Sequence, residues 1–292
     1  MGRTISAVTL AVAAGLGVIP AAGQAAVTTI GVDLAAVSPG NPYDCGAASD
    51  CTVSTFPFGP AEASGGATSP VNGTITSFQL KTGAAGASAV RFRVLHPVAP
   101  GTSNNQVTGA GTSPQVNVGP FAVASFPTSL PVLRRDQIGL DCCQSGNDAV
   151  TSPNILQGNV WGTGGLGPLL DGTTRAPDAF SAIGGVMLSA TVQIDDSLEI
   201  LSKPKLRKGK VRMQADLPNP GGMDLAAKGG LLRRSSGFYT SEGPQEISLA
   251  LTNDGRAHLR EGKRIKAKIK VSYQPVDSDE LVLRKVRATV RR

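Results

Sequence analysis

Apolar residues recur at every second position through most of the chain. Phe78 and Leu80 alternate with Ser77, Gln79 and Lys81; Val90, Phe92 and Val94 alternate with Arg91 and Arg93; Val186, Leu188, Ala190, Val192 and Ile194 alternate with Ser189, Thr191 and Gln193. The pattern returns in Val211, Met213, Ala215 and Leu217, in Ile247, Leu249 and Leu251, in Ile265, Ala267, Ile269 and Val271, and in Val286, Ala288 and Val290. Successive side chains of a strand point to opposite faces, so a period of two marks a strand buried on one face and wet on the other. Turn-rich stretches such as 57–70 and 162–177 separate these runs, and no run has a convincing helical period. The pattern predicts an all-β chain: a jelly-roll-like antiparallel β-sandwich over 27–197, then a smaller immunoglobulin-like β-sandwich over 198–292. In the second, Asn253-Asp254-Gly255 reads as a turn.

Composition agrees. Aromatics make up 4% of the 292 residues, and the 36 Gly and 20 Pro follow no period. That mixture suits many short strands joined by turns better than a helical bundle.

The first 26 residues follow a different rule. Arg3 precedes a small, apolar run from Ile5 to Ile19, then Pro20 and the small-residue tract ending at Ala25-Ala26. A positive start, a short apolar middle and a small-residue cleavage site describe a secretory signal peptide, expected to be cut after Ala25 or Ala26. The alternative is a retained N-terminal anchor, but the run is short and rich in Gly and Ala for a membrane span. No later segment is long and apolar enough to cross a bilayer as a helix, so a secreted or cell-surface location is expected.

Export gives the four cysteines a meaning. Cys45, Cys51 and the adjacent Cys142 and Cys143 form an even set, which in an oxidising compartment predicts disulfides. Three connectivities are open. The local pairs, Cys45–Cys51 with Cys142–Cys143, are favoured over the two crossed maps. A zinc site is disfavoured, because the two histidines, His96 and His258, are far from these cysteines in sequence.

Charge divides the chain. Residues 26–199 carry six Lys/Arg against twelve Asp/Glu, whereas residues 200–292 carry twenty-one against nine, so the second domain is strongly basic inside a chain of net charge +7. Pairing the strand around Lys266, Lys268 and Lys270 antiparallel with the strand around Lys285, Arg287 and Arg291 puts these six cations on one solvent face. The bland reading is a solvated face whose lysines protect a sheet edge. The sharper one is a site for polyanions met outside the cell: a cell-wall polymer, an acidic polysaccharide or an anionic lipid surface. Nucleic acid is disfavoured by the compartment and by the absence of stacking aromatics from this face.

Two resemblances enter here. The segments Pro70 to Phe78, Val90 to Leu95 and Leu130 to Asp141 resemble a family of uncharacterised secreted jelly-roll-like domains of high-GC bacteria. There the last segment runs Leu-Pro-Val, a Gly-Asp pair, then Ile-Gly-Leu; this chain has Arg135 in place of the Gly. The run from Ile247 through Leu251, Leu259 and Gly262-Lys263 to the Lys/Ile strand resembles the Ig-like C-terminal module of many secreted proteins of such bacteria. Those modules often hold a Cys pair near Asp216 to Gly222, and this chain has none there. The resemblance implies the fold and no activity.

Motifs for chemistry are weak. Residues 162–167, Gly-Thr-Gly-Gly-Leu-Gly, match a dinucleotide fingerprint as a string, but Pro168 and Asp171-Gly172 follow where a helix must start, so a loop is expected. His96 and His258 read as structural, with no nucleophile-elbow string to recruit them. Loop carboxylates keep a hydrolase reading open, with Asp136 and Asp141 as its test residues. Calcium is the one cofactor these loops would suit, with Asp141, Asp148, Asp171 and Asp178 as ligands and Asn147 beside them. The preferred expectation is a non-enzymatic binding or adhesion protein, glycan-binding through the first domain and polyanion-binding through the second; a plain surface spacer is the third.

Overall fold

The computed structural model describes residues 26–36, 50–55, 68–84, 86–98, 106–142, 158–161, 167–181 and 186–291. The expected signal segment, save Ala26, lies outside them. In the first domain the strands are β1 Val27–Gly31, β2 Cys51–Thr55, β3 Gly73–Lys81, β4 Ala87–Pro97, β5 Val107–Thr112, β6 Val116–Val118, β7 Val123–Val132, β8 Gln137–Cys142, β9 Gly158–Trp161, β10 Thr174–Arg175, β11 Ala179–Ser181 and β12 Leu188–Ile194. They form two antiparallel sheets, one in the order β1-β12-β3-β7 and one in the order β10-β5-β4-β8-β2-β9-β11, with β6 also paired to β4.

The alternating residues meet between these sheets. Ile75, Phe78, Leu80, Ala190 and Val192 from the first sheet pack against Val53, Val90, Phe92, Val94, Ile138 and Leu140 from the second. Phe78 stacks on Phe92 across the sandwich, ring centroids 4.9 Å apart, and touches Phe126 of its own sheet at 5.2 Å. A register shift between Ile75 and Ser77 explains why Ile75 and Phe78, three apart, both point inward: one extra residue in a strand flips every later side chain. Strand β7 closes its sheet with Pro127 and Pro131, which lack N–H donors and are suited to an edge.

Arg135, standing where the resembling family has Gly, has φ +77°. An arginine thus holds, in this turn, a left-handed conformation that glycine adopts at no steric cost.

The second domain comprises β13 Glu199–Ile200, β14 Lys205–Arg207, β15 Lys210–Leu217, β16 Gly221–Ala227, β17 Ser235–Tyr239, β18 Gly243–Ala250, α1 Asn253–Arg260, β19 Ile265–Pro275 and β20 Val282–Val290. Strand β15 pairs with β18 along one edge and with β13 and β14 end to end along the other; the second sheet runs β17-β16-β19-β20. The core between them is supplied by Val211, Met213, Ile247, Leu249, Ile269, Val271 and Tyr273, among others. Lys208 and Gly209, at φ +47° and +72°, make the tight β14–β15 turn whose twist matches its strands.

One reading is corrected. Asn253-Asp254-Gly255 opens the helix α1 rather than a turn, and His258 sits within that helix. Thr252 caps it by accepting from the Gly255 N–H at 3.1 Å. Gly255 is there because a Cβ would meet the Leu231 carbonyl oxygen at 2.2 Å. The residue that signals a turn in the sequence marks a close approach of helix to backbone.

Candidate functional site

Backbone register assembles the basic face. Lys268 lies directly opposite Arg287, Lys270 opposite Lys285, and Lys266 opposite Thr289. Ile265, Ala267, Ile269 and Val271 between them are buried, so these cations all point away from the core. Arg291 continues the outward alternation one residue beyond β20 and is exposed. Like charges directly opposite one another in a sheet are destabilising, by roughly 0.2–1 kcal/mol per pair. Edge protection explains cations on β20, and Lys266 and Lys268 on the stretch of β19 past the end of β16, but Lys270 lies between Ala226 of β16 and Lys285 of β20 and guards no edge.

The same face changes character along the strands. Beyond the Lys270–Lys285 row come Asp224, Ser272 and Leu283, and then Phe238, Gly222 and Gln274. Around these lies a shallow depression of about 410 Å³, with Gly222, Asp224, Ser236, Ser272, Gln274 and Leu281 in its lining. Phe238, which is 61% exposed, and Leu283 stand beside it. Arg234 donates two hydrogen bonds to the Asp224 carboxylate, at 2.8 and 2.7 Å. Those bonds, aided by the charge of Lys270, hold Asp224 below the usual carboxylate range against a smaller effect of burial. Sequence reading missed this depression. Its floor is glycine and serine within strands, which break the apolar alternation, and only the register brings Phe238 across from Gly222.

Three of the four carboxylates expected to hold calcium, Asp141, Asp171 and Asp178, pair with guanidinium groups. Asp141 and Arg93 are both buried, and Arg93 grips Asp141 through Nε at 2.9 and 3.1 Å and Nη2 at 2.6 Å. Arg93 Nη1 reaches Asp171 at 2.6 Å. Thr52 donates to Asp141 at 2.6 Å, Leu169 N–H donates to Thr52, and Thr112 donates to Asp171 at 2.7 Å. The network pins the segment around Leu169 to the outward face of the large sheet. Asp178 pairs with Arg175 at 2.7 Å, and Asp148 lies outside the described residues. Among the described residues no group of three metal-ligating side chains converges. At Asp141 and Asp171 an arginine supplies the opposite charge that a calcium ion was expected to bring. Asp141 is also not in a loop: it lies within β8, paired to Thr52 and Arg91.

Asp136 is the other buried carboxylate among the described residues. It accepts from Leu133 N–H at 2.8 Å and meets Nδ1 of His96 at 2.6 Å. Burial pushes its carboxyl above the usual range, against those hydrogen bonds, which favour the charged form. Burial also raises Asp50, helped by the charge of Asp141 and opposed by Arg91. His258 lies 3.3 Å from the Arg264 carbonyl, a contact that ties the end of α1 to the start of β19.

Cys51 and Cys142 face each other in the β2–β8 register, both buried, and neither is a free thiol. Cys45 and Cys143 lie outside the described residues, as does the fingerprint-like string apart from Gly167, which has φ +72°.

No family model matches this chain, and no curated protein does. Among solved structures it is similar to a β-glucuronidase of Faecalibacterium prausnitzii, at 10% identity and TM-score 0.22, over 92% of this chain and 45% of that one. It is similar to a β-galacturonidase of Eisenbergiella tayi at 11% identity and TM-score 0.20, over 88% of this chain and 43% of that one. A putative β-galactosidase of Bacteroides fragilis follows at 12% identity and TM-score 0.17, over 87% and 35%. The chain spans less than half the length of each, and likeness this slight transfers neither activity nor ligand.

Proposed function

We propose that this is an exported, non-enzymatic binding protein whose second domain docks on an anionic polysaccharide of the cell envelope, its cysteines joined as disulfides. The observation that carries the reading is the stacking of like charges, Lys268 on Arg287 and Lys270 on Lys285, on an exposed sheet face. The opposed like charges cost the sheet stability, and a row of carboxylates, sulfates or phosphates relieves the repulsion. The depression beside the row suits the uncharged part of such a polymer: Asp224, Ser236, Ser272 and Gln274 offer hydrogen bonds to hydroxyl groups, and Leu281 and Phe238 offer apolar walls. The first domain is the mounting body. Its best-placed carboxylate for hydrolysis, Asp141, is fully engaged by Arg93, which favours binding over turnover.

Titrating the mature protein with polygalacturonate over a salt series tests this. The affinity is expected to fall steeply with salt, and the slope to shrink when Lys268 and Arg287 are both changed to Glu. Gly222→Phe is expected to weaken binding without changing the slope; a Cβ at Gly222 meets nothing within 4 Å, so the side chain fills the depression and leaves the fold intact. Salt-independent binding, equal affinity for duplex DNA, or turnover of a polysaccharide that is lost in Asp136→Asn would each overturn the reading.

A further inference from the structure

The opposite face of the same sandwich repeats the arrangement. On the outward side of the β14–β15–β18 sheet, Lys205 lies directly opposite Arg212, and Arg207 opposite Lys210. Leu206 and Val211 between them face the core, which fixes the four cations outward. Here the surface is concave. A pocket of about 220 Å³ is lined by Lys203, Lys205, Arg207 and Arg212 with Ser202, and Glu246 is its one carboxylate. Arg212 Nη1 donates to Glu246 at 2.6 Å, but Arg212 Nε is shut off from solvent and has no acceptor. Among the described residues it is the only buried side-chain donor of this domain left in that state. An oxyanion entering this pocket supplies the charge that four cations around one carboxylate lack.

We infer that this pocket is a second anion site, and that the second domain therefore bridges two polyanion chains. The inference rests on the polyanion reading above and extends it from adhesion to cross-linking. Sheets of a sandwich pack about 10 Å apart, and their outward faces look in opposite directions. A polymer lying along the Lys268–Arg287 row does not reach Lys205 without wrapping round an edge. Two faces of like charge, back to back, hold two chains side by side, as a matrix protein must.

Calorimetry of the mature protein with an oligogalacturonate too short to span both faces tests the inference. Two oligomers per protein are expected. Lys205→Glu with Arg207→Glu, and separately Lys268→Glu with Arg287→Glu, are each expected to leave one. With long polygalacturonate, light scattering is expected to peak near charge equivalence for the natural protein and to stay flat for either variant. A charge-matched control, Arg256→Glu with Arg260→Glu on the exposed side of α1, is expected to keep the peak. One oligomer per natural protein, or bridging by the Lys205/Arg207 variant, overturns the inference and leaves the basic face of β19 and β20 standing. Displacement of a single oligomer by excess inorganic phosphate, with no scattering peak, makes the pocket a site for free phosphate and also overturns it. Absence of any binding removes the underlying reading instead.

Discussion

Asn72 and Asn219 exchange hydrogen bonds across the joint between the two domains. The Asn72 N–H donates to Asn219 Oδ1 at 2.6 Å, and Asn219 Nδ2 donates back to the Asn72 carbonyl at 3.1 Å. Each then holds its neighbours: Asn219 Nδ2 also reaches the Asp195 carbonyl at 2.7 Å, Asn72 Oδ1 accepts from Arg134 N–H, and Tyr273 donates its hydroxyl to the Asn219 carbonyl at 2.6 Å. Asn219 is fully buried, and Val276 of the second domain packs on the first domain's core. Removing the amide takes the acceptor from the part-buried Asn72 N–H and a donor from the Asp195 carbonyl, while the Asn72 carbonyl keeps the Asp195 N–H at 3.0 Å. Asn219→Ala is expected to cost roughly 2–4 kcal/mol and to let the domains unfold as two calorimetric transitions. A single, unshifted transition would show that the joint is held by packing alone.

None of this joint was legible in the sequence. Its bonds link residues 147 apart, and an asparagine next to proline or glycine reads locally as a turn former. The strands were legible because alternation is a local property that the core enforces: the residues Ile265, Ala267, Ile269 and Val271, read as inward, are buried, and the lysines between them are exposed. The basic face followed from adding one pairing to that alternation. The helix α1 was hidden because eight residues give little periodic signal, and the depression was hidden because glycine and serine leave no pattern to follow.

Arg135 stores backbone strain that glycine at the same site does not. Its φ of +77° is costly for a side-chain-bearing residue, and its N–H is fixed by the Ser69 carbonyl at 2.7 Å, so the turn does not relax. Arg135→Val is expected to lower stability by about 1–2 kcal/mol, since branching at Cβ is least compatible with this conformation. Arg135→Gly is expected to leave stability unchanged or slightly raised. Urea midpoints for the pair check this; equal losses in both variants would mean that the arginine side chain, not the backbone, matters.

Acid affects two carboxylates in opposite senses. Burial raises Asp136 in the folded chain, so between its unfolded value, near 3.9, and the raised folded value the native state holds more protons than the unfolded one. Its contribution to stability is therefore fully present below that window and is lost as pH rises through it. Asp224 is lowered by Arg234, so its contribution is present above the unfolded value and is lost as pH falls through the folded one. Asp136→Asn is expected to flatten the fall in stability on raising pH through the Asp136 window, and Asp224→Asn to remove part of the loss at lower pH. Denaturant titrations from pH 3 to pH 7, the acid range in which carboxylates titrate, resolve the two. A parallel curve for Asp136→Asn would mean that His96 and Leu133 hold that carboxyl at its ordinary value.

The Lys268–Arg287 pair separates a structural role from a binding one by the sign of a single change. If the cations only keep the face soluble, Lys268→Glu places an opposite charge across from Arg287 and alters nothing else of consequence. If they bind a polyanion, the protein has kept a repulsive pair at the expense of stability. Lys268→Glu is then expected to raise stability by up to about 1 kcal/mol, as a cross-strand repulsion becomes an attraction, while weakening polygalacturonate binding and reducing its dependence on salt. Gain of stability and loss of affinity in one substitution mark a surface shaped for a ligand. Unchanged affinity with raised stability would make this face ordinary solvated surface. Loss of both would mean that the substitution disturbs the β19–β20 pairing itself, a point that circular dichroism of the variant decides.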